Sequence, residues 1–300
     1  MDSSSHPTGQ SQALRDLQWA LDSPSLIATS PCSNERPETS QCLATAEDEL
    51  RNFLLDSSGR NEYRVGRYFE RLVLFYLKHV RKVEIVASGL QLQEDGQTVG
   101  ELDFVFRDES GQLQHWETAV KFYLHFPGAS KCGSHFIGPD SRDNFETKLQ
   151  RIFEHQLPLS GRRFPDIAER HAFVKGRVFY HPEHLPPQTL PAQLSPDHLR
   201  GVWIYRRELS WLSRITETSC GQEARAKVLS KPFWLAPEQV DCSSTGESQL
   251  VPVAEMQEQL QQHFRESATP RLVSLLAKVA DAWRELERVF VVQESWPHDH

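Results

Sequence analysis

Two runs of alternating polar and apolar residues flank a short polar turn in GELDFVFRDESGQLQHWETAVKFYL, residues 100–124. Alternation with period two marks strands that bury one face, and Asp108-Glu109-Ser110-Gly111 is composed of residues suited to a hairpin turn. Leu102, Phe104, Phe106, Trp116, Val120, Phe122 and Leu124 fall on one face, which reads as core. Glu101, Asp103, Glu117, Ala119 and Lys121 fall on the other, so pairing Asp103 with Glu117 or Ala119 makes the carboxylates and the amine neighbours. Two readings follow. The face is a solvated sheet surface with cross-strand ion pairs, or it is a magnesium site, because that ion takes few protein oxygens and keeps several waters for exchange.

The elements around the hairpin extend the pattern. Residues 63–80 place Val65, Phe69, Leu72, Val73, Tyr76 and Val80 on one helical stripe, and VEIVAS near Val83 begins a strand ahead of the hairpin. After a loop with Gly133, Gly138 and Pro139, Asp143 followed by Glu146 reads as an acidic capping box. It opens a helix that carries Phe145, Leu149, Ile152, Phe153 and Gln156. AFVKGRVFY at 172–180 reads as the next strand, so the order is α, β, β, β, α, β. Beyond it, a proline-rich stretch leads to GVWIYRRELSWL, KPFWLAP and a predicted helix over 270–288 with Thr269 as N-cap. At the other end, ALRDLQWALDSPSLI gives a short helix stopped at Ser23-Pro24, and 29–41 reads as a linker. The division implied is an N-terminal extension over 1–45, partly disordered, a core over 46–180, and a C-terminal α/β elaboration over 181–300 packed on that core.

Composition narrows the function classes. A net charge of −8 opposes a general nucleic-acid coat or a membrane-surface binder, although a local basic patch remains compatible with nucleic acid. Such residues concentrate over 142–177, where Arg142, Lys148, Arg151, Arg162, Arg163, Arg170, Lys175 and Arg177 read as a solvated helix face or as phosphate contacts. Cys32, Cys42, Cys132, Cys220 and Cys242 form no CxxC pair, which predicts reduced thiols and a cytoplasmic setting. The opening residues show no export pattern and LVLFYL at 72–77 is too short to span a bilayer, so no membrane partner is expected. His181 and His184 in HPEH, Cys132 near His135, and Trp203, Trp211 and Trp234 read as loop or core residues rather than as zinc ligands, a nucleophile or base-stacking platforms.

Glu70 adds a further carboxylate. It follows Gly66 by one helical turn and lies beside the apolar stripe, within reach of the sheet or of Arg67 and Arg71. With Gly66 to Glu70, the strand Gly100-Glu101-Leu102-Asp103 and a following strand that carries Glu117 and Lys121, the chain resembles the PD-(D/E)XK nuclease superfamily over about 63–180. Nearly the whole chain is also similar to a bacterial domain-of-unknown-function family assigned to that superfamily, through LRDLQWALDSP, FIGPDSRDNFETKLQ to HQL, HLRGVW, KPFWLAP and RVFVVQESWP.

The resemblance implies a restriction-endonuclease-like αβββαβ core with a mixed sheet flanked by helices. It implies Mg2+ or Mn2+ held by Asp103, Glu117 and Glu70, with Lys121 at the phosphate or the attacking water, Glu101 as a second-tier candidate, and DNA or RNA as partner. The superfamily pattern places an acid two residues before the lysine. Here that position is Ala119, and Glu117 lies about 13 Å along the strand from Lys121. The expectation is therefore a metal-dependent nuclease, or else a catalytically degenerate relative that binds nucleic acid or a protein partner.

Overall fold

The computed structural model describes residues 11–28, 46–55, 64–128, 134–184, 187, 190–220, 223–242 and 245–297. Among the described residues the first helices are α1 (Gln12–Asp22), α2 (Glu47–Leu55) and α3 (Val65–Phe75), the last continued by a π turn over Tyr76–Val80. Strands β1 (Glu84–Glu94), β2 (Gln97–Arg107) and β3 (Leu113–His125) follow as an antiparallel meander, with the short β4 (Phe136–Ile137) added to β3. Helix α4 (Phe145–Gln150, continued by a π turn over Arg151–Gln156) leads to β5 (Glu169–Tyr180), which pairs parallel with β3 along almost its whole length.

The remainder prolongs the same sheet. It comprises β6 (Leu199–Tyr205), α5 (Trp211–Cys220), β7 (Ala224–Val228), β8 (Gln239–Asp241), β9 (Val251–Pro252), α6 (Val253–Glu266), β10 (Arg271–Val279) and β11 (Ala282–Val292). Among the described residues the result is a mixed sheet of eleven strands in the order β1-β2-β3-β5-β6-β11-β10-β7-β9, with β4 on β3 and β8 on β11. Strands β3, β5, β6 and β11 form its parallel centre, and antiparallel pairs flank them. Parallel strands are buried on both faces, and helices cover this centre. Leu17 of α1 and Phe69 and Leu72 of α3 join Phe106, Phe122 and Phe290 in one apolar cluster. Phe145, Leu149 and Ile152 of α4 join Ala119, Tyr123 and Val178 in another. Met256, Leu260 and Phe264 of α6 pack with Val273 and Val291.

Several expectations change. Residues 270–288 are not a helix: Arg271 pairs with Val291 and Val279 with Ala282, so the segment forms the β10–β11 hairpin. A strand buried on both faces carries a near-continuous apolar run, and RLVSLLAKV imitates helical spacing for that reason. Helix α4 is capped by Asn144, whose side chain accepts from the Thr147 amide at 2.8 Å, and not by Asp143. The π turn inserted after Gln150 rotates the following residues, which leaves Phe153 exposed and carries Gln156 toward the sheet. Leu102 does not share a face with Phe104. It packs with Val105, Leu113, Leu159 and Ile167, whereas Phe104 and Phe106 pack against the α3 side. The alternation is broken where Gly89, with φ +61, lies in β1 between the pairs Ser88↔Phe104 and Leu90↔Leu102.

The expected 29–41 linker, Cys32, Cys42, Cys132 and the start of the first long helix at residue 63 lie outside the described residues. No helix among the described residues is long and apolar enough to cross a membrane.

The β3–β5 contact is close enough to dictate a residue. Gly176 pairs with Lys121, and a Cβ at Gly176 would lie 1.9 Å from the Lys121 carbonyl oxygen, at a φ of +155. We predict that Gly176→Ala destabilises the chain by roughly 3 kcal/mol or more, read as a lowered urea midpoint, while Gly96→Ala, with open space around its Cβ, costs less.

Candidate functional site: a fork between two strands

The ladder between β2 and β3 runs from Arg107↔Leu113 to Phe104↔Trp116 and then ends, because β3 continues beside β5 while β2 continues beside β1. Backbone groups at such a divergence need other partners. Asp103 supplies them on one side: its Oδ2 accepts from the Thr118 amide at 2.7 Å and from the Thr118 hydroxyl at 3.1 Å. Glu117 supplies them on the other, where its Oε1 accepts from the Asp103 amide at 3.4 Å. The two carboxylates singled out in the sequence thus meet at the point where the strands part.

Glu117 is 1% exposed and fully engaged. Besides the Asp103 amide, His115 Nε2 lies 2.9 Å from its Oε1, and the Gln156 side-chain amide donates to its Oε2 at 2.7 Å. His115 Nδ1 is buried without a partner among the described residues, which fits the tautomer that places the proton on Nε2 and leaves Nδ1 bare. Asp103 differs: its Oδ1 takes no hydrogen bond among the described residues, and the residue lines a cavity of about 990 Å³. Burial pushes the Asp103 carboxyl up to about 7, and the nearby charges of Glu117 and Glu70 add to the effect against the Thr118 hydrogen bonds.

Glu70 lies on the wall of the same cavity. Arg67 donates to it at 2.6 Å and sits 3.6 Å from Glu101, so one guanidinium ties the α3 carboxylate to β2. Burial raises the Glu70 carboxyl, opposed by Arg67 and reinforced by Glu101 and Glu117. Lys121 turns elsewhere: its amine donates to Asp143 at 2.6 Å. Lys148, in the sequence one of several basic residues over 142–177, stands on the α4 side of the fork. Its amine donates to Gln156 Oε1 at 3.1 Å, and burial lowers its pKa together with Lys121 and Arg151, while Asp103 and Glu117 pull the other way. Lys148 and Gln156 lie eight residues apart on α4 and form a relay to Glu117. The signal in the sequence was that spacing, but the π turn, which decides the facing of Gln156, has no simple pattern.

Other candidates are absorbed by structure. His181 is 3% exposed and bonds Glu208 at 2.9 Å, Trp203 is buried, and Lys175 donates to the Leu21 and Ser23 carbonyls at the end of α1. Arg162 pairs with Glu94, and Arg170 donates to Ser160, so the basic stretch is divided among separate contacts. Among the described residues, no three or more His, Cys, Asp or Glu side chains are grouped so as to hold a metal ion. The open Oδ1 of Asp103 instead fits a hard cation held by one or two carboxylates and completed by water and phosphate oxygens.

The chain is thus a mixed α/β protein whose large mixed sheet is flanked by helices and carries two carboxylates at a strand fork. Residues 15–292 match the sequence profile described as "Domain of unknown function (DUF1853)", and the chain belongs to that family. Searches of curated proteins and of solved structures each returned no match.

The raised carboxyl has a thermodynamic consequence. Between an unfolded value of 3.8 and a folded value of about 7 the folded chain binds the extra proton, so Asp103 loses stability for the fold as pH rises through that window. We predict that Asp103→Asn is more stable than the parent at pH 8 by on the order of 2 kcal/mol, and that the advantage vanishes toward pH 4, as measured by urea unfolding. Equal pH profiles would show that Asp103 titrates as an ordinary surface acid.

Proposed function

We propose that this protein is a metal-dependent phosphodiester hydrolase that acts on DNA or RNA, with a restriction-endonuclease-like core of the PD-(D/E)XK type. The observation that carries the reading is the fork: Asp103 keeps one oxygen open on a cavity while its backbone amide is bound by Glu117. The element order α3, β1, β2, β3, α4, β5 and the placement of Glu70 on the same cavity support it.

Asp103 and Glu70 would hold Mg2+ or Mn2+, with Glu117 at the same fork. Such an ion lowers the pKa of a bound water and neutralises charge on a phosphate. Glu117 fixes Asp103 through its amide and is itself fixed by His115 and Gln156. Lys148, whose ammonium is disfavoured by burial, serves as the cation for phosphate charge or as a proton carrier, the part first expected of Lys121. Lys121 positions Asp143 and the start of α4.

A second reading, a binding module without turnover, is favoured by two observations: Lys121 is engaged by Asp143, and position 119 on β3 is an alanine. The two readings separate in a metal-titrated cleavage assay on single- and double-stranded DNA and RNA. We expect Mg2+- or Mn2+-dependent cleavage that falls to background in Asp103→Ala and by about a hundredfold in Lys148→Met. Cleavage that survives Asp103→Ala would refute the assignment, and binding without any cleavage would select the second reading.

A further inference from the structure

The cavity that Asp103 lines has a second wall, and that wall bears on the substrate of the proposed site. Phe233 is 44% exposed and lines the cavity with Tyr68, Lys78 and Lys231. An exposed phenyl on a slack loop would carry no meaning, but this loop is tightly built. Arg288, wholly buried, donates to the carbonyls of Trp234 at 2.5 Å, Leu235 at 3.1 Å and Ala236 at 2.6 Å. The Ala236 amide donates to Asp16 Oδ1 at 2.9 Å, and the Tyr68 hydroxyl donates to Asp16 Oδ2 at 2.9 Å. The Tyr68 ring then meets Phe233 edge to face, with centroids 5.8 Å apart. A buried Arg–Asp–Tyr scaffold therefore fixes the segment just after Phe233 and the Tyr68 ring beside it, and leaves an aromatic ring partly exposed on the cavity wall.

The charges around that ring have a matching character. Lys78 and Lys231 are exposed and make no ion pair among the described residues, the Lys231 ammonium lying 4.8 Å from the centroid of the Trp234 ring, whereas Arg67 on the same cavity is neutralised by Glu70 and Glu101. An aromatic platform beside cations that no carboxylate neutralises is the combination that single-stranded nucleic acid requires: bases stack on the ring and phosphates meet the amines. Duplex DNA hides its base faces in the stack. The cavity, equivalent to a cube about 10 Å on a side, is also smaller than the width of the B-form major groove alone, about 12 Å.

We infer that the cavity receives an unpaired stretch of nucleic acid, with a base stacked on Phe233 and phosphates at Lys78 and Lys231, which directs the strand toward Asp103. This inference rests on the hydrolase reading for its direction, but its binding claim is tested without turnover. Full-length Asp103→Asn protein, in chelator, is titrated with fluorescent oligonucleotides of about twelve nucleotides, dT or rU, and with a hairpin duplex of equal charge. The expected result is single-strand binding at least tenfold tighter than duplex binding, weakened roughly tenfold by Phe233→Ala and restored by Phe233→Trp. Lys78→Gln and Lys231→Gln are each expected to lower the slope of log affinity against log salt by about 0.7.

Duplex binding as tight as single-strand binding, unchanged affinity in Phe233→Ala, or no binding of either oligonucleotide overturns the inference. Metal-dependent cleavage of duplex at the same rate in Phe233→Ala and parent would overturn it while leaving the hydrolase reading intact. Single-strand binding that shows these dependences, with no cleavage by the parent under any metal, would remove hydrolysis and leave the cleft assignment standing.

Discussion

The parting of β2 from β3 is the constraint on which the rest of the site depends. β3 is committed to β5 from Gln114↔Glu169 to Leu124↔Phe179, and β2 is committed to β1, so the two strands share only the four pairs nearest their turn, Arg107↔Leu113 to Phe104↔Trp116. A strand pair that separates inside a protein strands its amides away from both ladder and water. Asp103 and Glu117 answer that need, so these carboxylates have a structural task before they have a chemical one. The same divergence accompanies the left-handed Gly89 and the exchange of faces between Leu102 and Phe104.

Once placed, the two acids have opposite environments. Glu117 is enclosed and hydrogen-bonded through both oxygens, whereas Asp103 retains an open oxygen beside a cavity and is pushed toward neutrality by burial and by its acidic neighbours. Paired carboxylates whose surroundings differ in this way can divide their labour, one fixed and the other exchanging partners. The cost of holding Asp103 ionised among Glu117 and Glu70 is a destabilising term that the fold tolerates, and strain of that kind concentrates at functional sites. Cation binding at Asp103 would relieve it, which couples the chemistry proposed for the site to the stability of the sheet.

The hairpin over 100–124, the helix before it and the strand over 172–180 were legible because period-2 and period-3.6 patterns are strong where one face is buried and the other is wet. The alternation put Asp103 and Glu117 on one strand face, and the helical stripe put Glu70 beside it; the structure brings Asp103 and Glu117 into hydrogen-bond contact and sets Glu70 on the cavity that Asp103 lines. What could not be read has identifiable causes. β10 is covered on both faces and lost its alternation, so RLVSLLAKV passed for a helix. The π turn in α4 moved Phe153 outward and Gln156 inward, a shift of register with no local signature. Lys148 looked like one basic residue among several because its meaning comes from Gln156 and Glu117, which only the tertiary structure brings to it. The Phe233 platform depends on Arg288, fifty-five positions later in the chain, and on Asp16 near its start.

Ala119 sharpens from a missing acid into a packing requirement. It belongs to the apolar cluster that seats Phe145, Leu149 and Ile152 of α4 on β3, so a carboxylate there would be buried against hydrocarbon. Its small side chain suits close packing of that helix, and α4 delivers Lys148 and Gln156 to the fork. A strand fixes its same-face side chains at intervals of about 7 Å, so with the acid at Glu117 the strand's own Lys121 is too distant to serve the same oxygen. A helix packed across the strand is not bound by that interval and can present a cation wherever its turn falls. On the proposed reading, moving the acid along β3 and moving the cation onto α4 are one change, and a small residue at 119 is what makes the two compatible.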